Sequence, residues 1–173
     1  MAKSTDELLW CETYFILFPQ DRRPKLDKVT AAISSASPSF KIENPASNPG
    51  GMFESLLVES PQDHAAVEIS YEVGDAVVEQ TLEWAKELQK DLPADQLQEM
   101  IKADARLDVA HFERKAALQA EAPIEPSPYL SDDMDDEEGF EMLDPTCLLT
   151  VVDALAQLTN GLTFDPAAGE ILS

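Results

Sequence analysis

The densest set of side chains that could do chemistry is the run Asp132-Asp133-Met134-Asp135-Asp136-Glu137-Glu138. Clustered carboxylate oxygens are what hard cations such as calcium take as ligands, but they serve at fixed spacings. An EF-hand loop needs a glycine at its sixth position, and Gly139 in that role puts Met134 first and Pro145 twelfth. Asp133, Asp135 and Glu137 have the alternate spacing of the first three ligands, yet Glu138 then stands where the glycine belongs. The expectation is weak condensation of cations and no tight calcium site. Asp132, Asp133, Asp135, Asp136, Glu137 and Glu138 are read instead either as a solvated acidic linker or as a docking surface for a basic protein.

Softer metals need imidazole or thiolate. The chain offers His64 and His111, with Cys11 and Cys147 far apart, and no His-Glu-x-x-His or paired-cysteine spacing. His111 is expected to be a strand residue satisfied by a hydrogen bond, and His64 a loop residue after Pro61. No metal and no cofactor is expected. Cys147 falls in the first turn of an expected helix, where the dipole lowers a thiol pKa while neighbouring carboxylates raise it. Both cysteines are read as small buried apolar residues. There is no Gly-x-Ser-x-Gly, phosphate-cradling loop or dinucleotide fingerprint, and Pro49-Gly50-Gly51 is only a turn. Paired carboxylates of the kind that cleave glycosides carry no information among 34 acids, so no catalytic residue is assigned.

Charge narrows the partners. Twelve Lys and Arg against 34 Asp and Glu give a formal net charge of −22, which repels nucleic acid phosphates and anionic lipid head groups. The imbalance is uneven: residues 116–173 hold 13 acids and no Lys, Arg or His. An apolar fraction of 44% in 173 residues suits a globular chain with one main core that needs no disulfide. Two isolated cysteines suit a reducing compartment. Residues 1–10 lack the basic-then-apolar pattern of a secretory signal, and no stretch approaches the roughly 20 apolar residues that cross a bilayer. The expected location is the cytoplasm.

The elements that would position these residues follow from periodicity. A capping-box spacing at Ser4 to Glu7 allows one helical turn, or a loose terminus, ahead of a buried strand over 12–18, where Tyr14 to Phe18 is unbroken apolar sequence. Pro24 opens a helix over 24–35 through Leu26, Val29, Ala32 and Ile33. A short strand over 40–43 precedes a loop over 44–51 that is dense in turn formers, and strands follow over 52–59 and 67–73. Gly74-Asp75 starts a helix with the stripe Val77, Val78, Leu82, Ala85 and Leu88. Pro93 starts another with Leu97, Met100 and Ile101 inward, and Leu107, Val109 and His111 alternate in a strand over 105–112. Beyond the Pro-punctuated acidic stretch 121–144, Asp144 and Pro145 begin a helix with Leu148, Leu149, Val152, Leu155 and Leu158, stopped by Asn160-Gly161 before a closing hairpin.

Residues 105–112 and the ending 155–172, above all Asn160-Gly161-Leu162-Thr163-Phe164-Asp165-Pro166 with Gly169, resemble uncharacterised bacterial α+β families over about a third of the chain. The resemblance implies a fold type and no activity. The expected fold is α+β, a mixed or antiparallel sheet with helices mainly on one face, ferredoxin-like with additions. Residues 1–115 are expected to form the main core, 116–144 an acidic linker or loop, and 145–173 a helix and hairpin packed on the same core. The expected function is a non-catalytic binding or accessory module with an acidic surface for a basic partner. The alternative is a small hydrolase or transferase working through carboxylates. In a third reading, the basic partner normally binds nucleic acid and this chain competes by resembling phosphate charge.

Overall fold

The structure is a computed structural model and describes residues 8–61, 64–114 and 146–172. The fold is α+β, and among the described residues seven strands form one antiparallel sheet. The apolar run Tyr14 to Phe18 lies in β1 (Leu8–Phe18), which sits inside the sheet between β5 (Ala105–Arg114) and β6 (Leu162–Asp165). Helix α1 (Leu26–Ala36) carries the chain from β1 to the far edge, where β2 (Lys41–Ser47), β3 (Phe53–Ser60) and β4 (Ala65–Val73) form a meander that ends against β5. Helices α2 (Asp75–Leu88) and α3 (Ala94–Lys102) fill the β4 to β5 connection. Helix α4 (Thr146–Thr159) leads into β6 and β7 (Glu170–Leu172), giving the order β2-β3-β4-β5-β1-β6-β7.

The period-2 alternation of a strand decides what each face of β1 packs against. Tyr14, Ile16 and Phe18 join Val29 and Ile33 of α1, Val67 and Ile69 of β4, Leu107 and Val109 of β5, and Leu148, Val151 and Leu155 of α4 in the larger core. Phe15 and Leu17 point the other way, toward Trp84, Ala85 and Leu88 of α2, Met100 of α3 and Phe164 of β6. Helices therefore cover both faces, two on each, where the sequence predicts mainly one. A continuous apolar strand requires this, because both of its faces need partners.

Several boundaries differ from the expectation for identifiable reasons. The first strand begins at Leu8 instead of residue 12, because β5 runs on to Arg114 and pairs with it. Residues 44–47, expected in a loop, belong to β2. Pro45 is tolerated there because β2 is an edge strand, and its register slips between Glu43 and Ala46. The turn that follows is tied by Asn48, whose Oδ1 accepts N–H bonds from Gly50 and Met52 at 2.9 Å each. Helix α2 is rotated from the expected stripe: Val77, Thr81, Ala85 and Leu88 are buried and Leu82 is exposed. Trp84 sets that rotation by lying 5.1 Å from the Phe15 ring and 4.5 Å from the Phe164 ring. Ile101 of α3 and Leu149 of α4, both expected inward, are exposed.

One polar tie joins the outgoing end of β1 to the start of β5. Asp104 accepts the Gln20 backbone N–H at 2.7 Å and the Gln20 side-chain amide at 2.8 Å. Burial is the largest single influence and pushes the Asp104 carboxyl up, but the hydrogen bonds from the Gln20 side chain and backbone, with one from its own backbone, together hold the group below its ordinary value. A depressed carboxyl stabilises the fold above its unfolded pKa and loses that contribution as pH falls through its folded value. Asp104→Ala is expected to cost about 1 kcal/mol near neutral pH, discounted for exposure, with the difference from wild type vanishing in acid. Urea midpoints for the two proteins across pH test it, and a difference independent of pH would rule out the carboxylate as its source.

Candidate functional site

At the other end of the β1–β5 pair a polar cluster interrupts the larger core. Odd-numbered residues of β5 face that core, so the alternation that buries Leu107 and Val109 also turns His111 and Glu113 inward, and both are buried. Across from them β1 carries a bulge. Trp10 pairs with Phe112 and Glu12 with His111, so Cys11 is the extra residue. A bulge sets two residues against one and re-aims their side chains. Here it brings Cys11 and Glu12 together opposite His111.

The distances define a compact group. His111 Nε2 lies 3.3 Å from Glu113 Oε2, and His111 Nδ1 lies 3.9 Å from Glu12 Oε2. One ligand atom each from Cys11, His111 and Glu113 fall within 4.8 Å of one another. His111 and Glu113 side chains are 3% and 5% exposed, whereas Glu12 is 36% exposed and opens the group to solvent. Burial pushes the Cys11 thiol up, and the Glu113 and Glu12 carboxylates add to that. Burial likewise raises Glu12, helped by Asp165. Cys11 is therefore held as a thiol at neutral pH, poorly suited to nucleophilic attack. A thiol, an imidazole and a carboxylate in mutual reach match the ligand chemistry of zinc-type cations.

The residues singled out from sequence fare differently. His111 is a strand residue as expected, and its ring lies between the carboxylates of Glu12 and Glu113. His64 is exposed in the β3–β4 turn with a positive φ of 53° and is separate from the cluster. Cys147 is buried in the larger core, as a small apolar residue would be. Asp132, Asp133, Asp135, Asp136, Glu137 and Glu138, with the calcium spacing considered for that run, lie outside the described residues, as does the stretch 116–144. Sequence reasoning missed Glu113 and Cys11 as members of one group. The signal for the first was His-x-Glu at i and i+2 on a strand; the second depends on the bulge, which no local pattern announces.

An open groove of about 740 Å³ lies between α1 and α4, with Ala32, Ser35, Leu149, Thr150 and Gln157 in its walls. Asp153 is its one acid, and that carboxylate accepts the Gln157 amide at 3.0 Å. Among the described residues no helix is long and apolar enough to cross a membrane. Comparison with protein-family models, with curated proteins and with solved structures finds no match.

Proposed function

We propose that this chain is a non-catalytic binding or accessory module that offers an acidic surface to a basic protein, in a reducing compartment such as the cytoplasm. The supporting observation is where the arginines spend their charge. Arg22 donates to the Thr159 and Asn160 carbonyls at the end of α4, at 3.4 and 2.9 Å, where a cation also meets the negative pole of the helix. Arg23 donates twice to the Phe53 carbonyl and stacks over Tyr71 at 4.1 Å. Arg106 binds Asp108 at 2.7 Å and lies over Phe15 at 4.5 Å. Of these three arginines, Arg22 and Arg23 are held by backbone carbonyls and Arg106 sits against an acid, so two of the three are tied to the fold and not to a carboxylate.

The α4–β7 segment, residues 146–172, adds Asp153, Asp165 and Glu170 and no cation. A carboxylate-dependent hydrolase or transferase would need convergent acids in a cleft; among the described residues the α1–α4 groove holds Asp153, already bonded to Gln157, while Glu12 and Glu113 converge on His111 at the edge of the larger core. The likeness of residues 105–112 and 155–172 to bacterial α+β families belongs with this proposal and adds no activity to it.

The test uses a Lys- and Arg-rich peptide and a variant with residues 132–138 replaced by Gly and Ser. Attraction through a long-range field speeds association and fades with salt, as the screening length falls from about 10 Å at 0.1 M to about 3 Å at 1 M. The variant is expected to bind about tenfold more slowly at low salt, to match wild type at high salt, and to melt at the same temperature or slightly higher. An unchanged on-rate at low salt would remove the proposed attraction. A large loss of melting temperature would show that the run is structural.

A further inference from the structure

We infer that Cys11, His111 and Glu113 form a binding site for one zinc ion, with Glu12 orienting the imidazole. The three residues supply sulfur, nitrogen and oxygen donors, the set from which zinc sites are made. In a tetrahedral site with metal–nitrogen and metal–oxygen bonds of about 2.0–2.1 Å, neighbouring nitrogen and oxygen ligands sit about 3.3 Å apart. His111 Nε2 and Glu113 Oε2 are 3.3 Å apart. The Cys11 sulfur lies within 4.8 Å of a ring nitrogen of His111 and of a carboxylate oxygen of Glu113, so a movement of about 1 Å by a half-buried side chain on a bulge brings the three donors to ligand spacing.

The second ring nitrogen supports the same assignment. A zinc-bound histidine usually presents its other nitrogen to a carboxylate, which holds the ring and raises its basicity. His111 Nδ1 faces Glu12 at 3.9 Å, and the partly exposed Glu12 side chain has room to shorten that distance. The bulge supplies an independent indication, because such irregularities concentrate where a strand must re-aim side chains at a site. If the long register from Glu12 to Phe18 ran on without the bulge, Cys11 would oppose Phe112, whose side chain alternates to the face away from His111. Three protein ligands would leave a fourth position for water or a small anionic ligand.

The zinc proposal does not depend on the protein-binding proposal. To test it, the full chain is stripped with chelator and titrated with zinc against a chromophoric competitor, and cobalt is added in a parallel titration. The expected result is one zinc per chain and, with cobalt, a tetrahedral visible spectrum with a thiolate charge-transfer band. Glu12→Gln should weaken zinc binding by about 10- to 100-fold, as loss of an orienting carboxylate does, and Cys11→Ser by more, with loss of the charge-transfer band. Circular dichroism of each variant without metal establishes that it is folded, and Cys11 is partly exposed, so its replacement by serine is tolerable. The Gly/Ser variant of residues 132–138 should bind zinc as wild type does. Zinc binding that survives Cys11→Ser and disappears in the Gly/Ser variant would overturn the assignment, as would substoichiometric binding or cobalt without a charge-transfer band.

Discussion

Leu155→Ala is expected to lower the unfolding free energy by about 2–5 kcal/mol, the range for deleting a fully buried leucine and leaving a partly relaxed cavity. Leu155 is 0% exposed in the core that α4 shares with β1, β4, β5 and α1. Cys147, Leu148, Val151 and Val152 of the same helix are buried beside it, so the cavity opens where α4 seats on the sheet. A loss of this size is a large part of the roughly 5–15 kcal/mol that holds a domain folded. Leu149→Ala is the matched control: Leu149 is 43% exposed on the groove side, and its truncation should change stability by no more than about 0.5 kcal/mol. Chemical denaturation of both variants decides the matter. Equal midpoint shifts for the two would mean that α4 is a peripheral helix.

The contrast between Leu155 and Leu149 also shows how far the sequence can be read. Spacing places both in one apolar stripe, because a window of hydrophobic positions fixes a face only to within about one residue. What settles the rotation is a tertiary partner: Arg22 at the end of α4, or Trp84 between Phe15 and Phe164 for α2. The strands were legible wherever one face is wet, as in Val67, Ile69 and Tyr71 against Glu68 and Ser70. The edge strand β2 was not, since Asn44 and Pro45 carry turn chemistry and only pairing with β3 draws them into the sheet. The helices on the second face were implied by the apolar continuity of β1, whose Phe15 and Leu17 need cover as much as Ile16 does.

The Cys11, His111 and Glu113 group was half legible for the same kind of reason. His111 and Glu113 share a face by strand alternation alone, a local fact. Cys11 reaches them only because β1 pairs with β5 over 100 residues away in sequence, and because the register slips by one residue between Trp10 and Glu12. Cross-strand neighbours of this kind are set by register, which depends on the whole sheet.

Gly161 carries the second large expected effect, and for a reason that differs from the obvious one. The pair Asn160-Gly161 reads as a helix stop in which glycine takes the left-handed conformation. In the structure Asn160 takes it, with φ of 55°, and the Gly161 N–H donates to the Ala156 carbonyl at 3.2 Å to close the last turn of α4. That bond is the longer of the two in a Schellman ending, so Asn160 is the left-handed residue and Gly161 follows it. Glycine is needed at 161 because of crowding. A Cβ there would stand 2.7 Å from the Leu17 carbonyl oxygen and 3.0 Å from both Ile16 Cγ2 and Thr159 Oγ1. The first of these is backbone in the central strand, where β1 pairs with Leu162 of β6, so it has little freedom to give way. Gly161→Ala is therefore expected to cost about 1–3 kcal/mol, the range for forcing an extra carbon into a packed site. Asn160→Gly should be close to neutral, since glycine adopts the left-handed conformation freely. The comparison separates the two roles. If Gly161→Ala matches wild type in denaturant midpoint, β6 can move off β1 without loss and the crowding argument fails. If Asn160→Gly is the more damaging change, the asparagine side chain does more than tolerate its backbone angle.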